Sequence, residues 1–468
     1  MSMSEEEGAV VAGLIETLRS YDHFAKDEGQ SLYRYRRGVY RPGAELDISE
    51  VIGQLLAKWN KQHLTRRSLD GRIIHGITQL APRLWEQPPL GTVNLRNGLL
   101  DIRTRELQRQ TADYLSPVQL PIHYDPEAQC PAWDGFLAAL FQDDPDGGAE
   151  TTTLVYELLD YLLEPDTSQQ KAVLFVGAGD NGKSALAEAI QTFIGEGNYA
   201  SKSLEQLMTN RFAAADLVGK LVNICADIPT RSVEEVDVFK AIVGGDTISA
   251  ERKFKDPFAF KPFARLVFSA NNLPHSRDGG FAWFKRWIVI PFEHRFVRGV
   301  DMMVSRSRLI RQLSSRGELS GVLNKVLDAG RVRRRRRAFM EPEAVKRMMA
   351  EFIAVGDPVE LWLRANTIQA PDAWVSKAAL LDAYNADHAQ RRMPDSLFAR
   401  ELRARRPEVN HERRRLAGGR EWVWSGIALR RGQSGQSGQS DQQLNHVRLL
   451  GEKIESQGDR SDQQASVA

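Results

Sequence analysis

The stretch that decides the fold is Val173–Leu186, "VLFVGAGDNGKSAL": an apolar run that breaks into a glycine-rich loop and ends on Gly-Lys-Ser. With the residues before it, "KAVLFV" reads as a short, fully apolar strand of the buried parallel kind. Gly177–Ser184 satisfies G-x-x-x-x-G-K-[ST] in full and sits between a strand and the start of a helix, as that pattern requires. Glycines allow backbone N–H groups to close around phosphates, and the helix N-terminus adds its positive end. The cradle candidates are Gly177, Ala178, Gly179, Asp180, Asn181, Gly182, Lys183, Ser184 and Ala185. Lys183 is suited to the β and γ phosphates, and the Ser184 hydroxyl to Mg²⁺.

Working outward, Leu186, Ala187, Ile190, Phe193 and Ile194 form one apolar face of a helix that stops at Gly195. "KLVNICAD" and "ARLVFSAN" are two further buried strands, each ending in a polar residue. Strand, loop and helix in this rhythm predict an α/β fold: a parallel sheet covered on both faces, with ligands at the carboxyl ends of the strands. Four other candidate sites follow from that frame.

Asp227 ends "LVNICAD", where a carboxylate can hold the metal and polarise an attacking water; an Asp there also makes an ordinary turn or cap. Its neighbour is Ala226, so Asp227 serves both acidic roles or the water-activating group lies elsewhere. Asn271, at the tip of "LVFSAN", can orient water, or can simply begin the turn before Pro274. Arg286 in "FAWFKRWIVIPF" can project into a neighbouring subunit's site as a finger, or can face solvent at a strand edge. Lys253, Phe254 and Lys255 combine two cations with an aromatic, which suits a hairpin gripping a sugar-phosphate backbone or merely a polar strand face.

Residues 1–148 read as a mixed, partly helical accessory or collar domain. Apolar residues at helical spacing run through "DISEVIGQLLAKWN" (with Asp47 or Ser49 to cap it), and Asn97-Gly98 marks a hairpin turn. The nucleotide-binding domain spans 149–325 and a basic linker 326–341. Residues 342–430, three helical stretches followed by the alternating "REWVWSGIAL", suggest a winged helix. The tail 431–468 is repetitive and short of hydrophobics, which predicts disorder.

The net charge is +2, but residues 331–420 hold 20 Lys and Arg against 12 Asp and Glu, including "RVRRRRR" at 331–337. That excess points to a polyanionic partner, most simply nucleic acid, or to a solvated arginine-rich hinge. Two distant cysteines, Cys130 and Cys225, exclude a disulfide framework and a four-cysteine zinc site, which favours a reducing cytoplasm. No apolar run approaches the roughly 18 residues of a membrane span, and the acidic N-terminus is unlike an export signal.

"GAGDNGKS", "FKAIVGGDTIS", "RLVFSANNLP" and "KRWIVIPF", in this order, resemble the superfamily 3 helicases. More narrowly they resemble the ATPase half of primase-helicases from phages, plasmids and large DNA viruses. "NLRNGLLDI" and "YDPEAQCPAWDGFL" are similar to the helical domain that precedes the ATPase there. The resemblance implies an AAA+-like core and a hexameric DNA helicase that uses ATP and Mg²⁺, translocates 3′ to 5′ on one strand of forked DNA and works beside a separate primase or initiator. The expected location is cytoplasmic, that of a bacterial host for a phage- or plasmid-encoded protein. By the same resemblance, Lys183 and Ser184 serve the nucleotide, Asp227 the metal, Asn271 the sensor and Arg286 the finger, while Lys253 and Lys255 touch DNA.

Two departures stand out: this branch often has Glu where Asp227 stands, within an acidic pair. The 176 residues before Gly177 also show no paired-carboxylate primase site, so primer synthesis by this chain is not expected. The rival readings are an ATP-switched DNA-binding initiator or loader that does not unwind, and a small-molecule kinase.

Overall fold

The computed structural model describes residues 5–65, 67–226, 236–253, 256–274, 281–297, 305–389, 392–416 and 419–430. The chain divides into two compact units between Gly356 and Asp357. The first is built on five parallel strands: β1 (Ala172–Val176), β2 (Tyr199–Ala200), β3 (Val222–Ala226), β4 (Arg265–Ala270) and β5 (Trp287–Pro291). Their order across the sheet is β5-β1-β4-β3-β2.

Every residue of β1 is buried, because both faces of the sheet are covered. Val173 and Phe175 point into one core, shared with helices Ala149–Leu163, Lys183–Ile194 and Arg316–Arg336. Ala172, Leu174 and Val176 point into the other, with Phe239, Trp283, Trp287 and Phe352. The alternation is the two-residue period of a strand acting between two layers. The apolar face predicted for the helix after the glycine loop is buried at all five positions.

Residues upstream belong partly to the same core. Helices Glu5–Tyr21, Ala44–Lys58 and Arg67–Leu80 enclose a separate apolar cluster beside a three-stranded antiparallel sheet (24–42). Val93, Leu95, Leu100 and Trp133, however, join the core beneath β1. Position 148 therefore falls within a shared core, at the turn before Ala149–Leu163. Gly43 rather than Asp47 or Ser49 stands at the N-cap of Ala44–Lys58. The hairpin at 92–101 turns through Arg96-Asn97, and Gly98 opens the second strand because a Cβ there would meet the Gln108 carbonyl at 2.5 Å.

Helix Glu343–Gly356 also belongs to the first unit: Phe352 packs edge-on against Phe284, ring centroids 5.0 Å apart. The second unit holds helices Pro358–Asn366, Lys377–Asp387 and Asp395–Arg405 and an antiparallel sheet in which Gly419–Leu429 lies between Thr367–Ser376 and Asn410–Leu416. Trp362, Leu380, Tyr384, Phe398, Leu402 and Trp424 fill its core. The tail 431–468 lies outside the described residues.

Candidate nucleotide site

β1 is the point where the strand order reverses: the chain leaves it toward β2 on one side and returns to β5 on the other. In open parallel sheets ligands bind at the carboxyl end of such a strand. The glycine loop occupies that end, and its geometry is set by local necessity. Asp180 and Gly182 both take positive φ, 59° and 84°. A Cβ on Gly182 would strike Leu140, and one on Gly177 would lie 2.5 Å from the Phe292 carbonyl oxygen. Only glycine lets the backbone pass there.

Lys183 is buried at the first position of the helix, and its Nζ donates to the Ala178 carbonyl (2.9 Å) and Asn181 Oδ1 (2.8 Å). Ala178, Gly179 and Asp180 form the exposed rim; Ser184 is exposed and Ala185 half-buried on the first helical turn. The donor set fits a magnesium-bound triphosphate: a cation, the hydroxyl of an exposed serine, and first-turn N–H groups with no intrahelical acceptor.

Asn271 follows β4 directly. β4 is in register with β1 through Ala270 and Val176, and the Gly177 N–H donates to the Ala270 carbonyl at 3.3 Å, so Asn271 lies alongside the loop's entry and is exposed. β3 pairs with β4 through Ala226 and Ser269. Asp227 itself lies outside the described residues, as do Phe254 and Lys255.

Arg286 is not part of this constellation. It precedes β5, and its carbonyl accepts from the Ala172 N–H (2.7 Å) at the opposite end of the sheet. Five strand residues, roughly 16 Å, separate that level from the loop. Its Nη1 donates to the Ala282 carbonyl at 2.7 Å, and it is half-buried. Lys253 is exposed in the loop of a hairpin formed by Ile248–Ala250 and Phe258–Phe260; it stands in a turn, not on a strand face. Its neighbour Arg252 ties the hairpin to the N-terminal sheet, with Nη2 3.0 Å from Oδ2 of the buried Asp27.

Three supports had no motif to reveal them. The segment after β5 straps the loop: the Phe292 N–H donates to the Val176 carbonyl, Asn181 Nδ2 to the Phe292 carbonyl, and the Phe296 N–H to the Asp180 carbonyl. His294 braces the strap, its ring nitrogens 2.8 Å from Gln142 Nε2 and 2.9 Å from Asp143 Oδ2. Arg306 spans the first turn of the loop helix, donating to the Ser184 carbonyl (2.9 Å) and Glu188 Oε2 (2.7 Å).

Elsewhere, the arginine run is largely committed. Arg331–Arg336 end helix Arg316–Arg336, where Arg333 and Arg334 converge on the buried Asp160 and Arg336 pairs with the buried Glu157. Burial is also what raises the carboxyl of neighbouring Glu164 above its ordinary range. Cys130 is a core residue whose thiol burial pushes up to about 11. Among the described residues no group of three His, Cys, Asp or Glu could hold a metal, and no helix is long and apolar enough to cross a membrane.

Residues 175–286 match a family of unknown function (DUF5906), and residues 20–142 match a family described as D5 N terminal like. Viral relatives carry helicase names. The chain is 27% identical to "Putative helicase L207/L206" of Acanthamoeba polyphaga mimivirus over 35% of its own length, and 25% identical to "Putative helicase 121R" of Invertebrate iridescent virus 3 over 46%. It spans only 17% and 24% of those proteins. The apo structure of the NrS-1 C-terminal region (A form) is similar in fold, with a TM-score of 0.51 at 12% identity, covering 88% of this chain and 98% of that one. The chain thus resembles the primase-helicase-like proteins of large DNA viruses and phages.

Proposed function

We propose that the chain is an ATP-driven DNA helicase motor of superfamily 3 type, working as a ring in which Arg286 of one subunit completes the nucleotide site of the next. One observation carries the ring: Asn271 lies beside the glycine loop, whereas Arg286 lies at the other end of the same sheet, out of reach of its own chain's phosphates. An arginine so placed serves hydrolysis only from a neighbouring subunit. The helicase names of the viral relatives and the AAA+-like parallel core support the same reading.

In this proposal Lys183 and the first-turn N–H groups hold the triphosphate, with Ser184 and Asp227 on Mg²⁺. The bound metal-nucleotide supplies an activated γ-phosphate. Asn271 orients the attacking water, and Arg286 arrives in trans to meet charge developing in the transition state. The hairpin bearing Lys253 to Lys255 grips a single strand and moves with the nucleotide state. The second unit, with its three helices and three-stranded sheet, is read as a winged helix.

Lys183→Ala is expected to abolish ATP hydrolysis. Arg286→Ala should lower turnover by about 10³-fold while nucleotide binding survives. Strand release from a forked duplex separates a motor from an ATP-switched initiator, which would bind and hydrolyse without freeing a strand. Full turnover in a monomeric Arg286→Ala protein would rule out the trans arrangement.

A further inference from the structure

We infer that the second unit carries a platform for an unpaired DNA strand, on one face of the hairpin formed by Asn410–Leu416 and Gly419–Leu429, where a base stacks on Trp422. It goes beyond the motor reading and takes from it only the choice of DNA as the probe.

The register of the hairpin sorts its side chains. His411 faces Trp424, Arg413 faces Trp422, and Arg415 faces Arg420. Side chains of a strand alternate between faces, so these three cross-strand pairs share one side. Every member is aromatic or basic. Glu412 and Glu421 alternate with them and fall on the other side, paired across the strands with Val423 and Arg414. A hairpin with mixed charges in sequence is therefore one-signed on this surface.

The two tryptophans of that face have different surroundings. Trp424 is buried in the unit's core, whereas Trp422 stays 46% exposed on a strand whose core is already filled. Around them the cations collect. Lys377 Nζ lies 4.5 Å from the Trp424 ring and 5.6 Å from that of Trp422, and Arg413 lies 5.3 Å from Trp422. Arg403, from the preceding helix, approaches Trp424 at 5.5 Å and His411 Nδ1 at 3.0 Å. His411 and Trp422 are 5.3 Å apart. Arg403, Arg413, Arg415 and Arg420 are exposed. No acidic partner is recorded for Arg403, Arg413, Arg415 or Arg420 among the described residues, unlike Arg414, which Glu412 holds at 2.7 Å on the opposite face.

An exposed indole flanked by flexible cations is the pattern that holds a single strand: phosphates meet the cations, and any base offers a π-face to the ring. A duplex keeps its base faces stacked and presents only edges and backbone. On helix Asp395–Arg405, Arg405 is buried on Asp357 and Arg400 lies against Glu401, while Arg403 turns to Trp424 and His411 at the platform itself. The geometry therefore favours the unpaired strand.

The test uses the full chain without nucleotide, in a Lys253→Ala, Lys255→Ala background that silences the proposed motor hairpin. Binding of a fluorescein-labelled oligothymidine is compared with that of a blunt duplex. Trp422→Ala should weaken oligothymidine binding about tenfold, and Trp422→Phe should stay close to the parent. Arg413→Gln should reduce the log–log salt slope by about 0.7. Trp422 lies outside the core, so the melting midpoint should not move; Trp424→Ala, which empties the core, serves as the unfolding control. Unchanged oligothymidine affinity in Trp422→Ala, or an equal loss for the duplex, overturns the platform. Either result leaves the hydrolysis and strand-release experiments on Lys183 and Arg286 to stand or fall by themselves.

Discussion

Asn181 shows what a motif position can hide. Within G-x-x-x-x-G-K-[ST] it is a free letter, yet its side chain is buried and bonded at both ends, accepting from Lys183 and donating to the Phe292 carbonyl. It therefore fixes both the lysine and the strap over the loop. Asn181→Ala leaves the Phe292 carbonyl without this donor and lets the lysine wander, a loss of about 1–3 kcal/mol at a buried polar group. Nucleotide affinity should fall by roughly tenfold or more, read by titration with a fluorescent analogue; an unaltered affinity would mean the strap is held by its backbone bonds alone. The lysine, the serine and the glycines were legible because their chemistry is local. Asn181 was legible as a member of the cradle, but its bond to the strap was not, because that partner lies 111 residues further along the chain.

At the scale of elements the arginine run teaches the same lesson with the opposite sign. Counting charge in a window made "RVRRRRR" a polyanion site or a solvated hinge. In the fold it closes the end of Arg316–Arg336 against Ala149–Leu163, with Arg333 and Arg334 on Asp160 and Arg336 on Glu157. Those carboxylates stand more than 170 residues upstream, beyond any window. Two arginines on one buried acid make that acid indispensable. Asp160→Ala strands them and is expected to cost about 3–5 kcal/mol, seen as a lower thermal midpoint. Arg335→Ala, at an exposed position of the same helix, should stay within about 0.5 kcal/mol. Comparable melting of the two variants would show the cluster to be ornamental. The strands and helices themselves were readable, since the both-faced burial of β1 and the 3.6-residue period after it are written in apolar spacing.

For the whole molecule the feature that bears on the proposed ring is that the loop and Arg286 occupy opposite ends of one sheet. Apolar spacing located both segments but carried no information about how far apart the sheet would set them. In the proposed head-to-tail ring each interface would join one subunit's loop to the next subunit's arginine. The arrangement makes an unusual demand on mixtures. Lys183→Ala and Arg286→Ala proteins are each expected to be inactive, one lacking its phosphate cation and the other its guanidinium. When they are mixed in equal amounts and allowed to exchange, an interface is intact wherever an Arg286→Ala subunit offers its loop to a Lys183→Ala neighbour. Random assembly makes that about a quarter of all interfaces. Steady-state ATP hydrolysis should accordingly rise from background to about a quarter of the wild-type rate, reaching that level only as subunits exchange. Two silent proteins that remain silent together, at concentrations where wild type is assembled, would show that Arg286 does not act across an interface.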